Sequence, residues 1–137
     1  MNDGNCLCGA VRFEVDPPSR FCAHCHCQNC RRAHGAAFVT WVGYPVEQFR
    51  LTAGKDDLVR YRTDTEANRS FCRICGTTLF YEGPRWETEI HVARAVINGE
   101  IERAPQAHVY VDHKALWHEI TDGLPRFGGE TGMEIVT

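Results

Sequence analysis

The sequence predicts a mostly β, single-domain fold of antiparallel strands organised around bound metal. Short stretches rich in β-branched and aromatic residues recur along the 137 residues, with turn signals between them. Eight cysteines gathered into close groups are the one extreme feature of the composition. With 43% hydrophobic and 24% charged residues, the chain has the composition and the length of one folded unit. We therefore expect a single zinc-binding domain over residues 1–137.

Alternation of apolar and polar side chains predicts a first strand at residues 10–15, which Asp16-Pro17-Pro18 ends. Further strands are predicted at residues 38–42, 49–52, 58–62, 69–71, 78–81, 89–96 and 108–111. Asn98-Gly99 is typical of a two-residue hairpin turn. Short helices could form at residues 27–34 and 112–119. Residues 21–35 lack an apolar period, so a metal ion is expected to order them.

The charge and hydropathy of the chain predict its location and exclude some classes of binding partner. The polar start, Met1 to Asn5, has no export signal, and no apolar run approaches the roughly 18 residues of a membrane span. The net charge of −3 becomes about −6 when seven thiolates and two zinc ions are included. We expect a cytoplasmic protein that binds neither nucleic acid nor membranes. In a reducing compartment, thiolate-bound metal is favoured over disulfides.

Two close cysteine pairs, Cys6-Leu7-Cys8-Gly9 and Cys72-Arg73-Ile74-Cys75-Gly76, lie far apart in the chain and are each followed by glycine. Four thiolates arranged in this way suit a tetrahedral zinc ion, and each glycine permits the positive φ of a tight loop. The alternatives are two disulfides or buried free thiols. A disulfide between cysteines one residue apart is strained, so we predict metal.

A middle cluster runs from Cys22 to Cys30 and offers four thiols and two imidazoles. The residues alone leave the assignment of its ligands open. His24 and His26 could coordinate zinc or shuttle a proton, or they could simply point outward.

The three cysteine groups together resemble the glutathione-dependent formaldehyde-activating family, whose domain also occurs in centromere protein V. The matching motifs are CxCG near the start, CHCxxCRRxxG in the middle and CxxCG after several strands. Trp117 and the stretch Asp122-Gly123-Leu124-Pro125 resemble the family's carboxy-terminal part. The resemblance implies a β-tent fold with two zinc ions. It implies a structural zinc on Cys6, Cys8, Cys72 and Cys75, and a second zinc on Cys25, Cys27 and Cys30.

The family's named chemistry joins glutathione to formaldehyde as S-(hydroxymethyl)glutathione. Three thiolates leave one tetrahedral position open, and zinc deprotonates a thiol that binds there. The resemblance therefore implies a carbon–sulfur lyase in which Cys25, Cys27 and Cys30 form the catalytic centre and glutathione is a co-substrate. Its partners would be a small-molecule thiol and an aldehyde. Arg31 and Arg32 could bind the glutathione carboxylates or could form a solvated basic turn.

Cys22 decides between this enzyme and a second hypothesis. Its sulfur would close the second site if it were the fourth ligand, and the chain would then be a non-catalytic zinc-binding module, either a thiol carrier or a protein-interaction domain. We predict that Cys22 lies outside the site. Six aromatic residues could line a pocket beside the open zinc or belong to the core: Phe38, Trp41, Phe80, Tyr81, Trp86 and Trp117.

Overall fold

The structure, a computed structural model, describes residues 1–136. Within these residues, twelve strands and one α-helix follow one another. The helix, α1, spans Gln28–His34 and lies between β3 and β4. The strands are β1 (Asn2–Asn5), β2 (Arg12–Val15), β3 (Phe21–Cys25), β4 (Val39–Pro45), β5 (Phe49–Ala53), β6 (Leu58–Arg62), β7 (Asn68–Cys72), β8 (Thr78–Glu82), β9 (Glu89–Ala93), β10 (His108–Val109), β11 (Phe127–Gly128) and β12 (Glu134–Ile135).

Seven strands form the main sheet, in the order β10-β3-β4-β9-β8-β7-β6. All its neighbours are antiparallel except β10 and β3, which run parallel. Strands β1, β2 and β5 form a second antiparallel sheet, and β11 pairs with β12. The predicted mostly β, antiparallel fold is confirmed.

The core lies between the two larger sheets. Phe13 of β2 contacts Phe80 of β8 edge-on, with ring centroids 5.1 Å apart, and stacks on Phe49 of β5 at 5.7 Å. Phe13, Phe80 and Leu79 are almost completely buried. Burying each such side chain contributes about 2 kcal/mol, so this contact holds the small sheet against the large one.

Several predicted elements differ from the observed ones. The sequence reasoning missed β1, whose residues are polar, and β3, which lies inside the cysteine-rich segment. The predicted strand at residues 89–96 ends at Ala93 and continues as a 3-10 turn, Arg94–Val96. The prediction of a helix at residues 112–119 was wrong, since only the 3-10 turn Val111–His113 forms there.

The Asn98-Gly99 hairpin was also a wrong prediction. Strand β9 already pairs with β4 and β8, so the chain that follows it cannot fold back on it as a further strand. Asn98 instead docks on β1, where its amide N–H donates to the Asp3 carbonyl at 2.9 Å and its side chain donates to Asn5 Oδ1 at 2.9 Å. No helix in residues 1–136 is long and apolar enough to cross a membrane.

Candidate functional site

The first cysteine cluster joins two loops that are far apart in the chain. The sulfur atoms of Cys6, Cys8, Cys72 and Cys75 all lie within 4.8 Å of one another. Cys8 Sγ lies 3.7 Å from Cys6 Sγ and 3.8 Å from Cys72 Sγ. A tetrahedron of sulfurs around zinc at 2.3 Å has edges of about 3.8 Å. These distances fit four thiolates around one zinc ion and are far too long for disulfides.

The two loops of this cluster have the same backbone conformation at their glycines and the same backbone hydrogen bond. Gly9 and Gly76 adopt φ values of 82° and 80°, as the sequence predicted. Each glycine amide donates to the carbonyl of the cysteine that opens its loop, Gly9 to Cys6 at 3.1 Å and Gly76 to Cys72 at 2.8 Å. The left-handed glycine turns the chain so that both sulfurs of a pair face the same point.

Within the first cluster the pKa values of Cys6 and Cys75 are lowered, whereas the pKa of Cys8 is raised to about 11. The Val11 amide donates to Cys6 Sγ at 3.3 Å. The Thr77 hydroxyl lies 3.2 Å from Cys75 Sγ, and this contact lowers the pKa of Cys75 to about 5. Negative sulfur is what a zinc ion requires as a ligand.

The second cluster is built from one short segment. Cys25 ends β3, Cys27 caps α1, and Cys30 lies in its first turn, and their three sulfurs lie within 4.8 Å of one another. The Cys30 amide donates to Cys27 Sγ at 3.3 Å, so the sulfur is the N-cap of the helix. Cys25 Sγ and Cys30 Sγ are 3.4 Å apart. The predicted helix at residues 27–34 is confirmed at Gln28–His34, and its geometry fits three thiolates around one ion.

Negative charge concentrates on Cys30. Hydrogen bonds from the Cys25 and Cys27 thiols lower the pKa of Cys30 to about 2, and the nearby Arg69 guanidinium acts in the same direction. The Trp41 indole N–H donates to Cys30 Sγ at 3.4 Å. Arg69 Nη1 and Nη2 lie 3.7 and 3.6 Å from the same sulfur. Cys30 thus receives bonds from three directions while remaining buried.

Arg69 is the main feature that sequence reasoning missed. Its side chain is buried, stacks over Tyr81 at 5.0 Å, and forms no salt bridge with any residue in 1–136. A buried guanidinium without a carboxylate partner is costly unless other negative charge faces it. The thiolates of the second cluster supply that charge. An arginine in a polar strand carries no sequence signal for this role.

The group of three sulfurs does not include Cys22. Side chains alternate along β3, so Cys22 shares a face with His24, and Cys25 shares the opposite face with Ala23. Cys22 is completely buried, and burial raises the pKa of its thiol. Cys22 also lines the cavity beside the second cluster, so its place outside the ligand set stays a prediction.

A large cavity opens beside the second cluster. Its volume is about 820 Å³, and Cys25, Cys27 and Cys30 form part of its wall. Of the six aromatic candidates, Trp41, Tyr81 and Trp86 line this cavity. The other three are placed elsewhere: Phe80 in the core, Phe38 against His24 and His26, and Trp117 largely exposed.

The two arginines predicted to bind carboxylates do not line the large cavity. Arg31 stacks over Trp117 at 5.7 Å, and Arg32 lines a smaller neighbouring cavity. Asn29, Thr63 and Arg69 line both cavities, so the two are adjacent. The arginines in the wall of the large cavity are Arg69 and Arg85. As with Arg69, no sequence motif around Arg85 indicates that it lines a cavity.

The histidines flanking the ligand cysteines do not belong to either sulfur cluster. His26 is completely buried, and its Nε2 lies 2.8 Å from His108 Nδ1. Burial lowers the pKa of His26 to about 4, with His108 acting in the same direction. His26 is therefore a neutral, internal residue.

Comparisons with known proteins agree with this geometry. Residues 1–113 match the family described as glutathione-dependent formaldehyde-activating enzyme. A Halomonas elongata protein provisionally named as such an enzyme is 29% identical over 133 residues, covering 86% of this chain and 80% of the relative. An uncharacterized lyase of Schizosaccharomyces pombe is 27% identical over 141 residues, covering 98% and 96%.

A crystal structure of a Rhodobacter sphaeroides protein also resembles the chain. It superposes with a TM-score of 0.63 at 29% identity, covering 73% of this chain and 91% of that one. This similarity shows that the two chains share a backbone fold. The chain belongs to the glutathione-dependent formaldehyde-activating enzyme family.

Proposed function

We propose that this protein is a zinc-dependent carbon–sulfur lyase or synthase-type enzyme that joins glutathione or a related thiol to formaldehyde or another small aldehyde. The observation that carries the proposal is the second cysteine cluster, in which three sulfurs, not four, lie together at the wall of a cavity of about 820 Å³ that Cys22 also lines outside the cluster. Cavities of this size suit small-molecule ligands. A protein-interaction module would need no such cavity beside its metal.

The reaction is an addition with no change in oxidation state. The thiol sulfur forms a bond to the carbonyl carbon, the carbon–oxygen π bond breaks, and the proton of the thiol ends on the new hydroxyl oxygen. A zinc ion on Cys25, Cys27 and Cys30 supplies a fourth position at which a thiol is deprotonated. The first cluster would hold the second, structural zinc.

The chain's own residues favour a thiolate in this cavity. Arg69 places a positive charge 3.6 Å from Cys30 Sγ and offsets part of the charge of the three sulfurs. Tyr81, which also lines the cavity, has its pKa raised by burial and stays protonated near neutral pH. Its hydroxyl is thus available as a donor to an oxygen atom that gains charge.

Arg85 is the residue best placed to hold a glutathione carboxylate. It is exposed at the cavity wall, where its guanidinium stacks on Trp86 at 4.9 Å and donates to Tyr110 Oη at 3.1 Å. These contacts orient a planar cation that pairs with carboxylates. Arg32, in the adjacent cavity, could reach the other end of an extended tripeptide.

The eight cysteines, all free, are consistent with a reducing compartment, and we propose a cytoplasmic location and one domain over residues 1–137. We further propose that the partners are a thiol and an aldehyde and do not include nucleic acid.

Glutathione binding to the zinc-loaded protein, followed by calorimetry, tests the proposal. We expect binding in the wild type, about tenfold weaker binding in Arg85→Gln because one charged hydrogen bond is lost, and none in Cys27→Ser. Arg32→Ala should weaken binding if that side chain reaches the second carboxylate. Arg60→Gln, an exposed charge change on β6, is the matched control and should bind like the wild type.

Catalysis is measured separately from binding. Exchange between formaldehyde and S-(hydroxymethyl)glutathione, followed by NMR, should be faster with wild-type protein than without protein and should return to the uncatalysed rate with Cys27→Ser. No binding at millimolar glutathione would contradict the glutathione assignment. Binding without faster exchange would identify a thiol carrier instead of an enzyme.

A further inference from the structure

Outside the two sulfur clusters, His24, His108 and Asp122 bring three potential ligand atoms within 4.8 Å of one another. His24 of β3 and His108 of β10 are directly opposite each other in the parallel strand pair, with ring centroids 4.9 Å apart. The Asp122 carboxylate approaches His108 Nε2 with both oxygens at 3.0 Å. This symmetric approach is a three-centre hydrogen bond, in which the two oxygens share one N–H. It resembles a carboxylate that faces a cation with both oxygens.

Each of the three side chains is held in position by a neighbour. His24 Nδ1 is bonded to Thr40 Oγ1 at 2.8 Å, and His108 Nδ1 to His26 Nε2 at 2.8 Å. These bonds leave the two Nε2 atoms as the nitrogens available to a metal. The Leu124 amide donates to Asp122 Oδ1 at 3.0 Å. Metal-binding imidazoles and carboxylates are oriented by bonds of this kind.

We propose that His24, His108 and Asp122 form a third metal site, for a borderline divalent cation such as Zn²⁺. Two imidazoles and one carboxylate are a set that zinc accepts at about 2.0–2.2 Å, with neighbouring ligand atoms about 3.4 Å apart. The Asp122 carboxylate lies 3.0 Å from His108 Nε2, and because its side chain is 47% exposed it can shift outward to this spacing, whereas His108 is 3% exposed. Its exposure also gives an ion a path from solvent.

The site would join two parts of the chain. His24 and His108 lie at the β3–β10 edge of the main sheet, and Asp122 lies in the carboxy-terminal segment, beyond the family-matched residues 1–113. None of these three residues lines the large cavity, so the third site is separate from the cavity of the second. A metal ion here would attach the carboxy-terminal segment to the strand that carries the second cluster.

Native mass spectrometry of the zinc-saturated full-length chain tests the proposal. We expect one zinc ion fewer in Asp122→Asn and in His24→Gln than in the wild type. Glu119→Gln, an exposed carboxylate-to-amide change three residues from Asp122, should keep the wild-type number. Equal zinc numbers in the wild type and Asp122→Asn would overturn the proposal.

Cobalt provides a second readout that does not depend on counting zinc. Co²⁺ added to wild-type protein that holds two equivalents of zinc in its sulfur clusters should bind with d–d absorption but without the thiolate-to-cobalt charge-transfer band, because the third site holds no sulfur. This signal should disappear in Asp122→Asn and persist in Glu119→Gln. A cobalt spectrum that carries only thiolate charge transfer, or one that Asp122→Asn leaves unchanged, would refute the site.

Discussion

The two cysteine clusters use the same ligand chemistry in two different ways. The first joins Cys6 and Cys8 to a pair that begins 64 residues after Cys8, and it brings four sulfurs together. The second takes three sulfurs from one turn between β3 and α1 and opens into a cavity. An ion in the first cluster would close a long loop, whereas an ion in the second would order a short segment beside the cavity.

The difference teaches that sequence separation and ligand number set the role of a metal site. The free energy of binding at the first cluster is also free energy of folding, because its ligands meet only in the folded chain. At the second cluster, helix capping by Cys27 and the contacts of Cys30 with Trp41 and Arg69 hold the segment as well. A metal ion at the second cluster would therefore contribute less to folding stability and would be available for catalysis.

Loss of a ligand from the first cluster should have the largest effect. We expect Cys75→Ser to unfold most of the chain at 37 °C, since structural zinc contributes about 10 kcal/mol or more and domains are stable by only about 5–15 kcal/mol. Thermal unfolding by circular dichroism measures this. A melting temperature equal to that of the wild type would show that the first cluster does not couple metal to folding.

Cys27→Ser should remove metal from the second cluster and leave the strands and the first site intact. We expect about one zinc ion fewer per chain and a far-ultraviolet spectrum like that of the wild type. The matched control is Cys22→Ala, which removes a buried sulfur outside the cluster and should keep the metal. Global unfolding of Cys27→Ser would mean that both clusters are structural.

The glycine turn of the first cluster offers a smaller test. Gly76 has φ of 80°, and a Cβ there would meet no atom within 4 Å, so Gly76→Ala costs only backbone strain. We expect a loss of about 1 kcal/mol and a melting temperature lower by a few degrees. Gly123→Ala, equally uncrowded but without a positive φ, should change the melting temperature by less. Equal changes in the melting temperature of the two variants would contradict the inference that the positive φ of Gly76 is needed for this loop.

The smallest expected effect concerns pH and the wall of the cavity. Burial lowers the pKa of His91, although its bond to Glu89 at 2.9 Å acts in the opposite direction. Below the ordinary pKa of about 6.5, the unfolded chain binds a proton that folded His91 does not, so stability falls as the pH falls. Urea unfolding between pH 7 and 5 should show that the free energy of unfolding falls less steeply in His91→Gln than in the wild type. An unchanged slope would contradict this.

The cysteine pattern predicted more of the site than of the fold around it. Ligand spacing and the glycines after each pair are local features that predicted the first sulfur group, whereas the three sulfurs of the second group came from the family resemblance. Strand β3 could not be predicted, because its residues Phe21–Cys25 show no apolar alternation, although side-chain alternation along a strand places Cys22 and Cys25 on opposite faces. That alternation carries the structural argument about Cys22.

Long-range contacts account for the rest of what the sequence did not predict. Arg69 reaches Cys30 across 39 residues, and its role depends on β7 passing beside α1. Asn98 followed by glycine is typical of a hairpin turn, but in the structure Asn98 contacts β1. The polar residues of β1 gave no strand signal. In each case the sequences of the two contacting segments do not indicate that the segments meet.

A crystal structure of the zinc-loaded protein, with anomalous diffraction at the zinc edge, tests the central claim most directly. We predict a peak among Cys25, Cys27 and Cys30 with three sulfurs at about 2.3 Å and a fourth ligand that is water or an added thiol. Soaking with glutathione should place its sulfur in that fourth position. A peak with the Cys22 sulfur as the fourth ligand, or no peak at this cluster, would contradict the account.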